Sequence, residues 1–117
     1  SARDMNKVTP QMVLDAIASE HYFTAYDGRA GAIANGSYSA IERPIADNAD
    51  LEPLKHVIIC TLILNNGHKI VGVNTGAFDA SEFSVAEGQR RAKAEAIQQL
   101  WSFLTFELRC RQYSAIA

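Results

Sequence analysis

Six side chains in the last third of this 117-residue chain have the types and spacing to hold a phosphorylated ring: Phe83, Arg90, Arg91, Lys93, Arg109 and Arg111. An aromatic ring stacks on a base, and a guanidinium fork grips a phosphate through two parallel hydrogen bonds. Phe plus Arg is therefore the smallest set that can hold a nucleotide. On one straight helix Arg90 and Lys93 share the polar face, Arg91 lies nearer the buried side, and Arg109 stands about four to five turns away. A single chain cannot bring both ends to one small molecule, whereas two antiparallel copies can, with Arg109 of one beside the Arg90 end of the other. The candidate ligand-binding residues are Phe83, Arg90, Arg91, Lys93 and Arg109, at the interface of a homodimer that could assemble further.

The same search finds no catalytic set. The chain has no HExxH, CxxC, GxSxG or phosphate-cradling GxxxxGK[ST] pattern. His21, His56 and His68 fall in three different elements, and Asp79 and Glu82 sit where a helix starts, where negative charge is favoured by the helix dipole. Cys60 and Cys110 are fifty residues apart, which implies neither a disulfide framework nor a metal knuckle and fits a reducing cytoplasm. A binding protein without cofactor or metal is expected, not an enzyme.

The elements that must position these groups can be read in order. Thr9 and Pro10 are a helix start, with Val8 and Val13 spaced as a hydrophobic staple, and Val13, Leu14 and Ile17 make an apolar stripe in a helix expected to fade by His21 to Tyr22. Residues 24–50 show no sustained period and read as a long irregular connection. Residues 55–64 are a strand rich in Ile and Val, Asn66-Gly67 a hairpin turn, and 68–75 the return strand. A two-residue turn opposes Ile63 to Ile70, Leu62 to Val71 and Cys60 to Val73, so that Cys60, Leu62, Val71 and Val73 form the face that meets a helix. Two strands are too few to stand alone, so a third strand from 24–50 or a second subunit is needed. The last element is a helix from about Val85 to Cys110, capped by Ser84 with Glu87, on which Gly88, Ala92, Ala96, Leu100, Leu104 and Leu108 recur every fourth residue. The expected fold is a single α+β domain over residues 5–113: an N-terminal helix, a small hairpin-based antiparallel sheet and a long C-terminal helix, dimeric.

Composition sets the outer bounds. At 48% hydrophobic and 21% charged, with a net charge of -2, the chain is an ordinary globular domain, with no apolar run long enough for a membrane span. Ser1 to Asp4 precede Met5 and read as an added leader, with no signal peptide behind them. Acidic groups dominate residues 1–50, seven against four basic, while residues 84–117 carry five basic against three acidic. A small anionic ligand suits that distribution better than a long polyanion does. The stretch from Gly88 to Trp101 also has the look of a double-stranded RNA-binding end helix. That reading is set aside because the chain is acidic and only two strands are evident where three are wanted.

Taken as a set, residues 8–28 (VTPQMVLDAIASEHYFTAYDG), residues 60–72 (CTLILNNGHKIVG) and the pattern Phe83, Gly88, Ala92, Ala96, Leu100, Trp101, followed by Leu108-Arg109, resemble a family of short accessory proteins of tailed bacteriophages. Members of that family with an assigned role are Thoeris anti-defence sponges, which bind cyclic ADP-ribose isomers, and in some cases cyclic oligonucleotides, without degrading them. The resemblance implies a cyclic-nucleotide sponge in the host bacterial cytoplasm, with no nucleic-acid or membrane partner. A phage factor that inhibits a host protein through the apolar distal helix is the other reading. Where the family carries Asn and Asp around the matched Phe, this chain has Glu82 and Ser84, and a carboxylate at that place repels phosphate.

Overall fold

The computed structural model describes residues 7–37, 51–76 and 80–116. Its elements are α1 (Pro10–Asp15), β1 (Ile17–Thr24), α2 (Ala25–Ala34), a 3-10 turn (Glu52–His56), β2 (Ile58–Leu64), β3 (Lys69–Asn74), a second 3-10 turn (Ala80–Glu82) and α3 (Val85–Ile116). The fold is α+β: a three-stranded antiparallel sheet in the order β1-β2-β3, with α3 laid along one face.

The first helix starts where its residues indicate, with the Thr9 hydroxyl accepting from the Met12 amide at 3.2 Å and Pro10 in the first turn. It ends after six residues instead of running to His21. Ile17, counted above into a helical stripe, begins β1, because a stretch holding Ile17, Tyr22, Phe23 and Thr24 gains more from pairing with β2 than a short helix gains from extension. This is the third strand that the hairpin needs, and it comes from the end of the supposed first helix. Residues 25–34, expected to be irregular, form α2, capped by the Thr24 hydroxyl on the Asp27 amide at 3.0 Å. The remainder of the expected connection, residues 38–50, and Asp79 lie outside the described residues.

The hairpin forms one residue out of the expected register. Leu62 opposes Ile70, Thr61 opposes Val71, and Cys60 opposes Gly72. The reason lies in the turn: the Leu64 amide donates to the His68 carbonyl at 2.8 Å, and the Gly67 amide donates back to the Leu64 carbonyl at 2.9 Å, so three residues form the loop. Gly67 closes it at φ 88°, the left-handed position of a type I turn followed by a bulge. Since side chains alternate, the shift carries Val71 and Val73 to the open face, where they are 47% and 37% exposed, and turns Ile70 and Gly72 toward α3.

The core lies between sheet and helix: Ile58, Cys60, Leu62, Leu64 and Ile70 against Ala92, Ala96 and Leu100, with Val13 of α1 closing one end. Small residues bring the layers close. A Cβ on Gly72 would stand 2.1 Å from the Ala92 carbonyl oxygen and 2.6 Å from the Ala96 nitrogen, so strand and helix backbones meet there. Gly88 approaches Ile58, whose Cδ1 would lie 2.6 Å from an added Cβ. The close approach at Gly88 is thus made with β2 of the hairpin. Asn65 joins hairpin to α1: its amide donates to the Ala16 carbonyl at 2.9 Å and its side chain to the Asp15 carbonyl at 2.6 Å, which satisfies two helix-end acceptors.

Candidate functional site

Phe83 stands between β3 and α3, half-buried and packed against the core. His56 stacks on it with ring centroids 4.5 Å apart and planes at 20°. Phe83, Asn74, Glu82, Ser84, Gly88 and Arg91 line a recess of about 310 Å³, with Glu87 on its wall. The helix begins here. The Ser84 hydroxyl accepts from the Glu87 amide at 3.3 Å, but the Glu87 carboxylate turns outward to the arginines instead of back to the cap.

Of the expected site residues, the recess gathers Phe83 and Arg91 and leaves the rest elsewhere. Arg90 and Lys93 lie around the helix on a shallow depression with Ala94, Ile97 and Trp101. Arg109 lies near the far end of α3 beside Lys7, Val8, Trp101 and Leu108. Arg91 and Arg109 are eighteen residues apart, five whole turns, so they share one side of the helix at roughly 27 Å separation, whereas Arg90 is rotated about 100° away. Arg91, and not Arg90, is the cation that goes with Phe83. The separation that argued against a one-chain site is present in the fold.

The cluster's charge is largely spent within the chain. Glu87 accepts from Arg90, whose Nε lies 3.1 Å from Oε2, and from the Arg91 Nε at 2.9 Å. Those two guanidinium groups hold the Glu87 carboxyl down at a pKa of about 2. Lys93 pairs with Glu20 of β1 at 2.9 Å, an ion pair that lowers the Glu20 pKa. Among the described residues Arg109 alone of the site cations has no acidic partner. Glu87, His56, Asn74 and Glu20 were missed as neighbours. For Glu87 the signal was available, since Glu87 precedes Arg90 and Arg91 by three and four residues, the spacing of helical ion pairs. His56 comes from the turn before β2 and Asn74 from the end of β3, and neither carries a local signal.

The third strand also removes one of the two grounds for setting aside an RNA-binding end helix. The charge ground stands: the cations of that stretch are those paired with Glu87 and Glu20.

The chain belongs to the phage protein (N4 Gp49/phage Sf6 gene 66) family, whose model matches residues 8–112, from the residue before the α1 cap to the last turns of α3. No curated protein and no solved structure matches it. The matched span includes every candidate site residue. No helix among the described residues is long and apolar enough to cross a membrane.

Proposed function

We propose that this phage protein is a non-enzymatic sponge that sequesters a cyclic ADP-ribose-type immune signal in the cytoplasm of the infected host, at a site shared by two copies of the chain. The carrying observation is the charge of the Phe83 recess. Within one chain it sets the Glu82 and Glu87 carboxylates against the Arg91 guanidinium, so a phosphate entering it needs a cation from elsewhere. Arg109, unpaired and on the same side of the helix, is the cation that an antiparallel second copy would bring. The depression at Ala94, Ile97 and Trp101 lies between the two basic ends and gives that copy an apolar seat. Phage membership and the resemblance to the Thoeris sponges support the ligand class. Binding without turnover is the reading because the sequence carries no HExxH, CxxC, GxSxG or GxxxxGK[ST] pattern.

The test is a thermal-shift panel of cyclic ADP-ribose isomers, cyclic dinucleotides and cyclic trinucleotides. A true ligand at a hundred times its Kd adds about 2.7 kcal/mol of stability. Arg109→Ala should then lose roughly ten- to a hundredfold in affinity with an unchanged melting temperature. Heat-denatured complex should release the nucleotide unaltered; recovery of a cleaved product overturns the sponge reading. Capture of a host protein with no response to any nucleotide supports an inhibitor acting through the distal helix.

A further inference from the structure

The long helix outruns the domain that it packs on. His68 at the hairpin tip meets Phe103 edge-on at 5.2 Å, and that contact marks how far the sheet reaches along α3. Beyond it Leu108, 5% exposed, faces the N-terminal segment, while Phe106, Tyr113 and Ile116 are 70%, 69% and 84% exposed.

The exposed residues are ordered. Phe103, Phe106, Cys110 and Tyr113 follow the three-four spacing of a helix-packing seam. Phe106 is five whole turns beyond Gly88, and Cys110 five beyond Ala92, so the seam continues the side of α3 that lies on the sheet. Large apolar groups stand there where the sheet has ended.

We infer that this seam packs against the same seam of a second copy, antiparallel, about a twofold axis level with Leu108. The direction follows from the fold. A partner helix running the same way on that side would have to enter the space held by this chain's own sheet from Gly88 to Leu100, whereas an antiparallel one overlaps the two overhangs and reaches the sheet only at the hairpin end. The register follows from the residues: Phe103 faces Tyr113 of the second copy while Phe106 faces its Cys110, so both layers close under one axis. The three rings alone offer roughly 400 Å² per copy, about half of the ~800 Å² that each partner of a stable interface buries. The end of the partner's hairpin, which the register sets against Tyr113 and Ile116, supplies further surface. This contact does not rest on the ligand-sharing pairing. Its register differs from that pairing and leaves Arg109 roughly 36 Å from the second copy's Phe83.

Light scattering of the full chain at micromolar concentration, beside Phe106→Glu and Tyr113→Glu, tests the seam. A smaller assembly for both variants than for the wild type, with unchanged helical circular dichroism, supports it. Equal mass for wild type and variants, or a monomeric wild type, overturns it. Oxidation of Phe106→Cys should give a covalent dimer through Cys110 of the second copy, while wild-type Cys110 alone gives none; the reverse pattern means a parallel contact and overturns the register. Running the nucleotide panel on Phe106→Glu separates the readings, since a retained thermal shift with reduced mass leaves the shared ligand site standing, and a panel silent for every form counts against the sponge alone.

Discussion

Glu87 accepts hydrogen bonds from both Arg90 and Arg91, so an anion entering the Phe83 recess competes with it for Arg91. Removing its charge while keeping its shape should therefore strengthen anion binding. Glu87→Gln is expected to tighten a phosphate-bearing ligand by roughly one-and-a-half- to fivefold, the range of one exposed ion pair, as read by calorimetry. Weaker binding by that variant would mean that Glu87 orients Arg91 instead of competing for it. The two close-packed glycines offer a second test at this scale. Gly72→Ala drives a methyl into helix backbone and should cost about 3 kcal/mol or more in denaturant unfolding. Gly88→Ala meets side chains and no backbone, the Ile58 Cδ1 at 2.6 Å and Cγ1 at 3.2 Å with the Phe83 ring at 3.6 Å, and regains about 1 kcal/mol of helix propensity, so its net effect should be much smaller.

Among the elements, β3 is an edge strand whose outer polar groups are claimed by α3. Glu95 accepts from the Val73 amide at 2.8 Å, and the Gln99 side chain donates to the Val71 carbonyl at 2.8 Å. Those contacts occupy the groups that another strand would pair with, while the exposed side chains of Val71 and Val73 stay apolar. Glu95→Ala combined with Gln99→Ala should uncover the edge, and the expected result is concentration-dependent aggregation with a rise in β signal at nearly native stability. The Asn65 link between hairpin and α1 is a separate device. Asn65→Ala leaves the Asp15 carbonyl without its side-chain donor and should cost about 1 kcal/mol.

For the whole molecule, stability against pH follows from the shifted groups. Lys93 lowers the Glu20 pKa, and Arg90 and Arg91 lower that of Glu87 to about 2. A carboxyl depressed in the folded state binds its proton first in the unfolded chain. Stability from these pairs is therefore complete above the ordinary value of 4.5 and is lost as pH falls toward 2. Burial raises the Cys60 thiol, which is neutral in the core, so the unfolded chain ionises first above pH 9 and stability declines there too. Urea midpoints should be flat between about pH 5 and 9 and fall on both sides. Lys93→Met should reduce the acid slope by removing the cation that lowers Glu20.

Residues 85–108 were legible because a long helix declares itself through one local repeat: Gly88, Ala92, Ala96 and Leu100 recur every fourth residue and are all buried. The start of α1 and the position of the hairpin were legible for the same reason, since caps and turns depend on a few adjacent side chains. Where α1 ends, which strand completes the sheet and which face of the hairpin turns inward depend on pairings between distant residues. Ile17 to Thr24 carry both a helical stripe and strand-forming types, and only the presence of β2 decides between them. The register turned on whether the loop holds two residues or three, one residue's difference that exchanges Val71 for Ile70 on the buried face. For the site, residue types and spacing give the cations and show that one helix holds them too far apart to share a small molecule. That Arg91 accompanies Phe83, that His56 covers the ring and that Glu20 takes Lys93 depend on the packing of separate elements. Those partners arrive from other elements, and a contact that closes over tens of residues leaves no periodic trace in the chain.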